Sequence, residues 1–182
     1  MVDIYKPELT NLQQAILRVL FVRVGEKLNQ RAIAKSLKVS ATAVMKALPY
    51  MENNNLINSK KDKESKRWVI ELNRENHSVM QLKRVDNIKL IYELGLADFL
   101  EREFAGGTII LFGSYSRGED TINSDIDIAI IGRKDKILDL TEFENILKRE
   151  ININFYTSFK EIHKNLKENI LNGFVFYGGI EL

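Results

Sequence analysis

Between residues 9 and 21 the apolar positions fall at 9, 12, 16, 17 and 20, the spacing of one helix face. Gly25 closes that helix, and Asn29 can cap a second over residues 30–37, with Ile33 and Leu37 turned inward. After a short turn at Lys38 and Val39, Ser40 is a good N-cap for a third helix carrying Val44, Ala47, Leu48 and Met51 inside. Pro49 falls within that helix, where it removes one hydrogen bond and is expected to kink the axis at a cost of about 3 kcal/mol. Asn55 stands where a left-handed C-terminal residue is expected. Residues 56–58 and 68–72 then read as two strands of a hairpin with a basic tip over 60–67.

From residue 76 the pattern changes. Val79, Leu82, Val85, Ile88, Ile91 and Leu94 recur every three residues, a helical stripe that belongs either to a core or to a dimer seam. Gly95 interrupts it, residues 96–104 resume as a helix, and Gly106 and Gly107 precede a short β-branched and aromatic run, 108–112, that reads as a buried strand. A ten-residue polar stretch, 115–124, leads to residues 125–131, where polar and apolar positions alternate at first. Helical patterns over 139–149 and 159–170 alternate with strand patterns over 151–156 and 173–177. Helices alternating with strands around a small mixed sheet give an α/β (α+β) class. The expected division is an N-terminal domain over 1–75, a helical connector over 76–104 and a C-terminal domain over 105–182.

Chemistry concentrates at the two ends of the polar stretch. Residues two apart in a strand share a face, so Asp125 and Asp127 point one way while Ile126, Ile128 and Ile130 point the other. Two neighbouring carboxylates raise each other's pKa unless a cation lies between them, and oxygen ligands of this kind suit Mg²⁺. Gly113 lets backbone N–H groups approach a phosphate, and Ser114 adds a hydroxyl. The combination describes a metal–triphosphate site.

Gly113-Ser114, the ten-residue spacer containing Arg117-Gly118, and Asp125-x-Asp127 together resemble the signature of polymerase-β-type nucleotidyltransferases, in particular the minimal, antitoxin-like ones. The resemblance covers roughly residues 106–180. It implies a nucleotidyltransferase fold in which Asp125 and Asp127 are catalytic and hold Mg²⁺. Gly113, Ser114 and Arg117 would bind the nucleotide, with ATP as donor. It further implies AMP transfer to a hydroxyl, such as a tyrosine of a partner toxin. The chain departs from the pattern in one place: Asn152 and Asn154 stand where a third carboxylate is expected, and asparagine cannot act as a base.

Three helices followed by a basic hairpin resemble a winged helix-turn-helix DNA-binding domain. In that geometry the third helix enters a major groove of double-stranded DNA, presenting Ser40, Thr42, Ala43 and Lys46. Lys60, Lys61, Lys63 and Arg67 of the wing would meet phosphates. The alternative is a winged helix used for dimerisation or protein docking. Charge agrees with two different partners: residues 1–75 hold 14 Lys/Arg against 8 Asp/Glu, and residues 76–182 hold 13 against 17.

The chain has no cysteine, which excludes disulfides, zinc thiolates and thiol catalysis. His77 and His163 read as connector and surface residues. No apolar run approaches a membrane helix in length and the start lacks a signal-peptide pattern, so a cytoplasmic location without membrane association is expected. Two function classes stay open: a DNA-binding nucleotidyltransferase, or a transcriptional regulator whose impaired transferase-like domain senses a nucleotide or forms a homodimer.

Overall fold

The computed structural model describes residues 8–63 and 67–180. The chain divides into two compact units, Met1–Val79 and Met80–Leu182. The middle of the predicted basic tip, residues 64–66, lies outside the described residues.

In the first unit, α1 (Asn11–Val22), α2 (Gln30–Leu37) and α3 (Ala41–Asn53) precede an antiparallel hairpin of β1 (Ile57–Lys61) and β2 (Trp68–Leu72). Each helix begins at a side-chain cap. Thr10 forms a capping box with Gln13, Asn29 accepts from the Ala32 amide at 3.0 Å, and Ser40 accepts from the Ala43 amide at 3.1 Å. Ile16, Ile33, Val44, Met51 and Ile70 fill the core, and the Leu28 carbonyl takes a hydrogen bond from Ile70, adding a bridge beside the hairpin. Helix α3 continues through Pro49, which is exposed. The Met45 carbonyl that proline cannot serve therefore lies on a side where water can reach it. Asn55 adopts the left-handed conformation, φ 55°. The arrangement is a winged helix-turn-helix.

In the second unit, α4 (His77–Glu93, from Met80 onward) and α5 (Leu96–Glu103) lead to β3 (Thr108–Phe112). There follow α6 (Gly113–Arg117), β4 (Ile126–Ile131), α7 (Thr141–Leu147), β5 (Ile151–Tyr156), α8 (Lys164–Leu171) and β6 (Phe174–Tyr177). The four strands form one mixed sheet in the order β5-β4-β3-β6, with β4 and β5 parallel and the other pairs antiparallel. Strand β4 alternates between two cores. Ile126, Ile128 and Ile130 pack with Ile91, Leu96, Leu100 and Leu147. Ala129 and Ile131 pack on the other face with Phe159, Ile162 and Ile170. The Asp127 face is therefore the one covered by α8.

Three local expectations are corrected. Residues 113–117 wind into a short helix rather than a bare turn. Helix α7 starts at Thr141, because Asp139 accepts from the Thr141 amide at 3.1 Å and stays outside. The closing helix is split into a 3-10 turn at Phe159–Glu161, an extended Ile162 and α8. Of the stripe on α4, Val79 and Ile91 are buried together with Lys83 and Asn87, while Leu82 and Val85 are 45 % and 62 % exposed. A three-residue step lags the helical turn by roughly 60°, so such a row walks around the helix, whereas every fourth residue stays near one face.

Candidate functional site

The two ends of the polar stretch meet in space. Asp127 is paired with Phe112 of β3 and with Asn152 of β5, which brings it beside Gly113. Gly113 has φ +75°, and a Cβ there would stand 2.5 Å from Asp127 Oδ2. Only glycine leaves that room and takes that backbone conformation without strain. Ser114 is half-buried next to it, Asp125 is exposed and Asp127 half-buried. Burial, and then the charge of Asp125, hold the Asp127 carboxyl above its ordinary value of 3.8. No cation among the described residues forms an ion pair with Asp125 or Asp127, so the pair could hold a divalent cation. Among the described residues no group of three His, Cys, Asp or Glu could hold a metal. Two carboxylates alone could hold an ion whose remaining ligands are phosphate oxygens and water.

Strand β5 completes the picture. Asn152 Nδ2 donates to Asp125 Oδ2 at 3.1 Å, and Asn154 Nδ2 to the Asn152 carbonyl at 3.5 Å. The β4–β5 register runs without a bulge from Ile126 to Ile131, so nothing re-aims Glu150, whose carbonyl accepts from the Ile126 amide at 2.8 Å. Arg117 is held by Glu119 at 2.9 Å and by Asn169 of α8 at 2.8 Å. Beside Asp125 a cleft of about 460 Å³ opens between Asn123, Ser124, Glu144, Asn145 and Lys148.

A second cluster was hidden in the sequence. Asp120 lies buried between Lys83 and Asn87 of α4 and Arg149, which precedes β5. A usable signal is the pair Lys83 and Asn87, two polar residues four apart between Val79 and Ile91 on one helix face.

In the first unit, Ser40, Thr42 and Lys46 are exposed on or just before α3 and Ala43 is half-buried. Met45 and Tyr50 are exposed on the same helix, 50 % and 43 %. Lys60, Lys61, Lys63 and Arg67 are exposed along the hairpin, and Lys60 pairs with Glu71 at 3.0 Å. Arg31, Lys35 and the exposed Trp68 join Arg67 around an open cleft of about 530 Å³ that the sequence reading passed over.

Residues 95–177 match the family described as nucleotidyltransferase domain. A protein assigned as a protein adenylyltransferase, MJ0435 of Methanocaldococcus jannaschii, is 42% identical over 67 residues, spanning 34% of this chain and 69% of that protein. The chain belongs to the nucleotidyltransferase-domain family. Members of that family generally use a nucleoside triphosphate and a divalent metal. Among solved structures, a MepR variant from a multidrug-resistant S. aureus clinical isolate is 29% identical, covers 53% of this chain and 68% of its own, and has a TM-score of 0.40. A variant of Lactococcus lactis ZitR is 23% identical with 58% and 66% covered and a TM-score of 0.43. The S. aureus MepR–DNA complex is 23% identical with 53% and 79% covered and a TM-score of 0.39. No helix among the described residues is long and apolar enough to cross a membrane.

Proposed function

We propose that the second unit transfers AMP from ATP to a hydroxyl of a protein or small-molecule acceptor, on a chain whose first unit binds double-stranded DNA. The observation that carries this reading is the meeting of Gly113 with Asp127, where the absence of a Cβ leaves room for the Asp127 carboxylate beside the Gly-Ser turn. Asp125 and Asp127 would hold Mg²⁺, which when bound neutralises phosphate charge and polarises the phosphorus. Gly113 and Ser114 bind the triphosphate and fix the α-phosphorus in line with the acceptor. The acceptor oxygen forms the new P–O bond, pyrophosphate leaves with the old one, and the hydroxyl proton departs to solvent, because Asn152 and Asn154 cannot take it. Arg117 adds positive charge near the phosphates once it leaves Glu119. The adenylyltransferase assignment of the Methanocaldococcus relative supports a protein acceptor, and the antitoxin-like resemblance makes a partner toxin the first one to test.

A second reading draws on one contact. The Asn152 amide on Asp125 puts a neutral donor beside the pair where a third acid would sit, which favours nucleotide binding without turnover. The chain would then be a regulator that senses a nucleotide or dimerises through this unit.

Label transfer from α-³²P-ATP with Mg²⁺ into host lysate proteins separates the two. Label that requires intact Asp125 and Asp127 establishes transfer. Mg²⁺-dependent ATP binding without label moves the chain to the sensor reading.

A further inference from the structure

The segment between the Gly-Ser turn and the acidic pair is held by a helix that lies outside the matched span 95–177. Six polar or charged residues among those described are buried, and four of them, Lys83, Asn87, Asp120 and Arg149, meet at one carboxylate. Asp120 Oδ1 accepts from Lys83 Nζ and, at 2.8 Å, from Asn87 Nδ2, while Oδ2 accepts from Arg149 Nη2 at 3.3 Å. Asn87 also donates to the Tyr115 carbonyl at 2.9 Å. Gly118 presses on the same helix: a Cβ there would stand 2.8 Å from the Met80 carbonyl and from the Arg84 amide nitrogen. The segment is thus fastened to α4 at residues 115, 118 and 120. Beyond Asp120, Thr121 and Ser124 close a tight turn on each other at 3.0 Å, and Ile126 is already in the sheet. Little slack remains for Asp125.

Buried ion pairs are poor devices for stability alone, since apolar replacements often serve as well. What they do impose is a place for the chain. We infer that Lys83 and Asn87 are positioning residues for Asp125 and Asp127, acting through Asp120, and that α4 is part of the nucleotide-binding machinery. The inference rests on the nucleotidyl-transfer reading for its purpose, not for its geometry.

The test compares full-length Lys83→Met with Leu100→Ala, a variant of the apolar core of the same unit that leaves the hydrogen bonds at Asp120 in place. Two quantities are read: amide hydrogen exchange over residues 118–125 without nucleotide, and Mg²⁺-dependent ATP affinity. Lys83→Met is expected to speed exchange in that segment and weaken ATP binding on the order of 10- to 100-fold, with Leu100→Ala doing neither locally. Asn87→Ala, which leaves the Lys83–Asp120–Arg149 contacts in place, shifts both in the same direction by less and serves if Lys83→Met fails to fold. Unchanged exchange and affinity in the α4 variants, or equal effects from Leu100→Ala, overturn the inference. Should the unaltered protein bind no ATP, the transfer reading falls, and exchange over 118–125 alone decides the positioning role.

Discussion

Asp120 and the pair Asp125–Asp127 belong to one segment and are electrostatic opposites. Asp120 is 1 % exposed and takes Lys83, Arg149 and Asn87 on its two oxygens. Asp125 takes the neutral Asn152 amide, and Asp127 is pushed upward by burial and by Asp125 itself. The first acid is spent on architecture, its charge answered inside the fold. The acidic pair has no ion-pair partner among the described residues, the condition that a cation site requires. Chain position does not separate the two roles; compensation does.

The largest effects expected follow that difference. Replacing Asp125 and Asp127 together by alanine should reduce Mg²⁺-dependent ATP binding and any label transfer to background, while stability by denaturant melt moves within about 0.5–1 kcal/mol. Asp120→Ala should do the reverse in stability, at a cost of about 3–5 kcal/mol, because Lys83 and Arg149 lose their buried counter-charge. Equal destabilisation by both changes would erase the distinction.

Next in size is restoring an acid. Asn154→Asp adds a carboxylate to the face of β5 that neighbours the pair and spares the Asn152–Asp125 hydrogen bond. A positioned base is typically worth about 10²–10⁴ in rate, so turnover should rise at least tenfold in a single-turnover assay. A transfer rate that stays flat while ATP still binds would favour the sensor reading.

How much of this could be read from the sequence depended on how local each feature is. The acidic pair and the Gly-Ser turn sit within one strand–turn–strand passage, so spacing alone paired them. The winged helix was legible for the same reason: its caps, Asn29 and Ser40, and the left-handed Asn55 act on immediate neighbours. Asp120 was not legible. Its partners lie 37 and 29 residues away, and each alone reads as a surface charge. The α4 stripe stayed open between core and dimer seam for a related reason, since apolar identity at 79 and 91, which are buried, is the same as at 82 and 85, which are exposed. Residues 113–117 form a single helical turn that Gly118 closes in the left-handed conformation, a geometry that the spacing of the motif does not reveal.

The first unit gives a contrast of its own, charges spread over a surface rather than gathered at a point. If Lys60, Lys61, Lys63 and Arg67 grip phosphates, replacing all four by alanine should lower the slope of log affinity against log salt by up to about 0.9 per lost contact, read by fluorescence anisotropy on duplex DNA. Because Lys60 is already paired with Glu71, its share should fall below the full 0.9 of one phosphate contact. A slope that does not move would turn the winged helix toward protein docking.

The smallest effect is a pair of opposed pH trends in metal-free protein. Asp127 has a raised native pKa, so above the ordinary 3.8 and up to that raised value the folded chain holds its proton more firmly than the unfolded one, and stability falls as pH rises. Asp139 is the mirror case: hydrogen bonds from the Thr141 side chain and amide hold it below 3.8, so its contribution is present above that value and is lost as pH falls through the lowered one. Melting temperatures in EDTA from about pH 3 to 7 should show Asp127→Asn removing the decline toward higher pH and Asp139→Ala removing the decline toward acid. Parallel changes in the two variants would mean that Asp127 is compensated like any surface acid, and the contrast with Asp120 would lose its electrostatic basis.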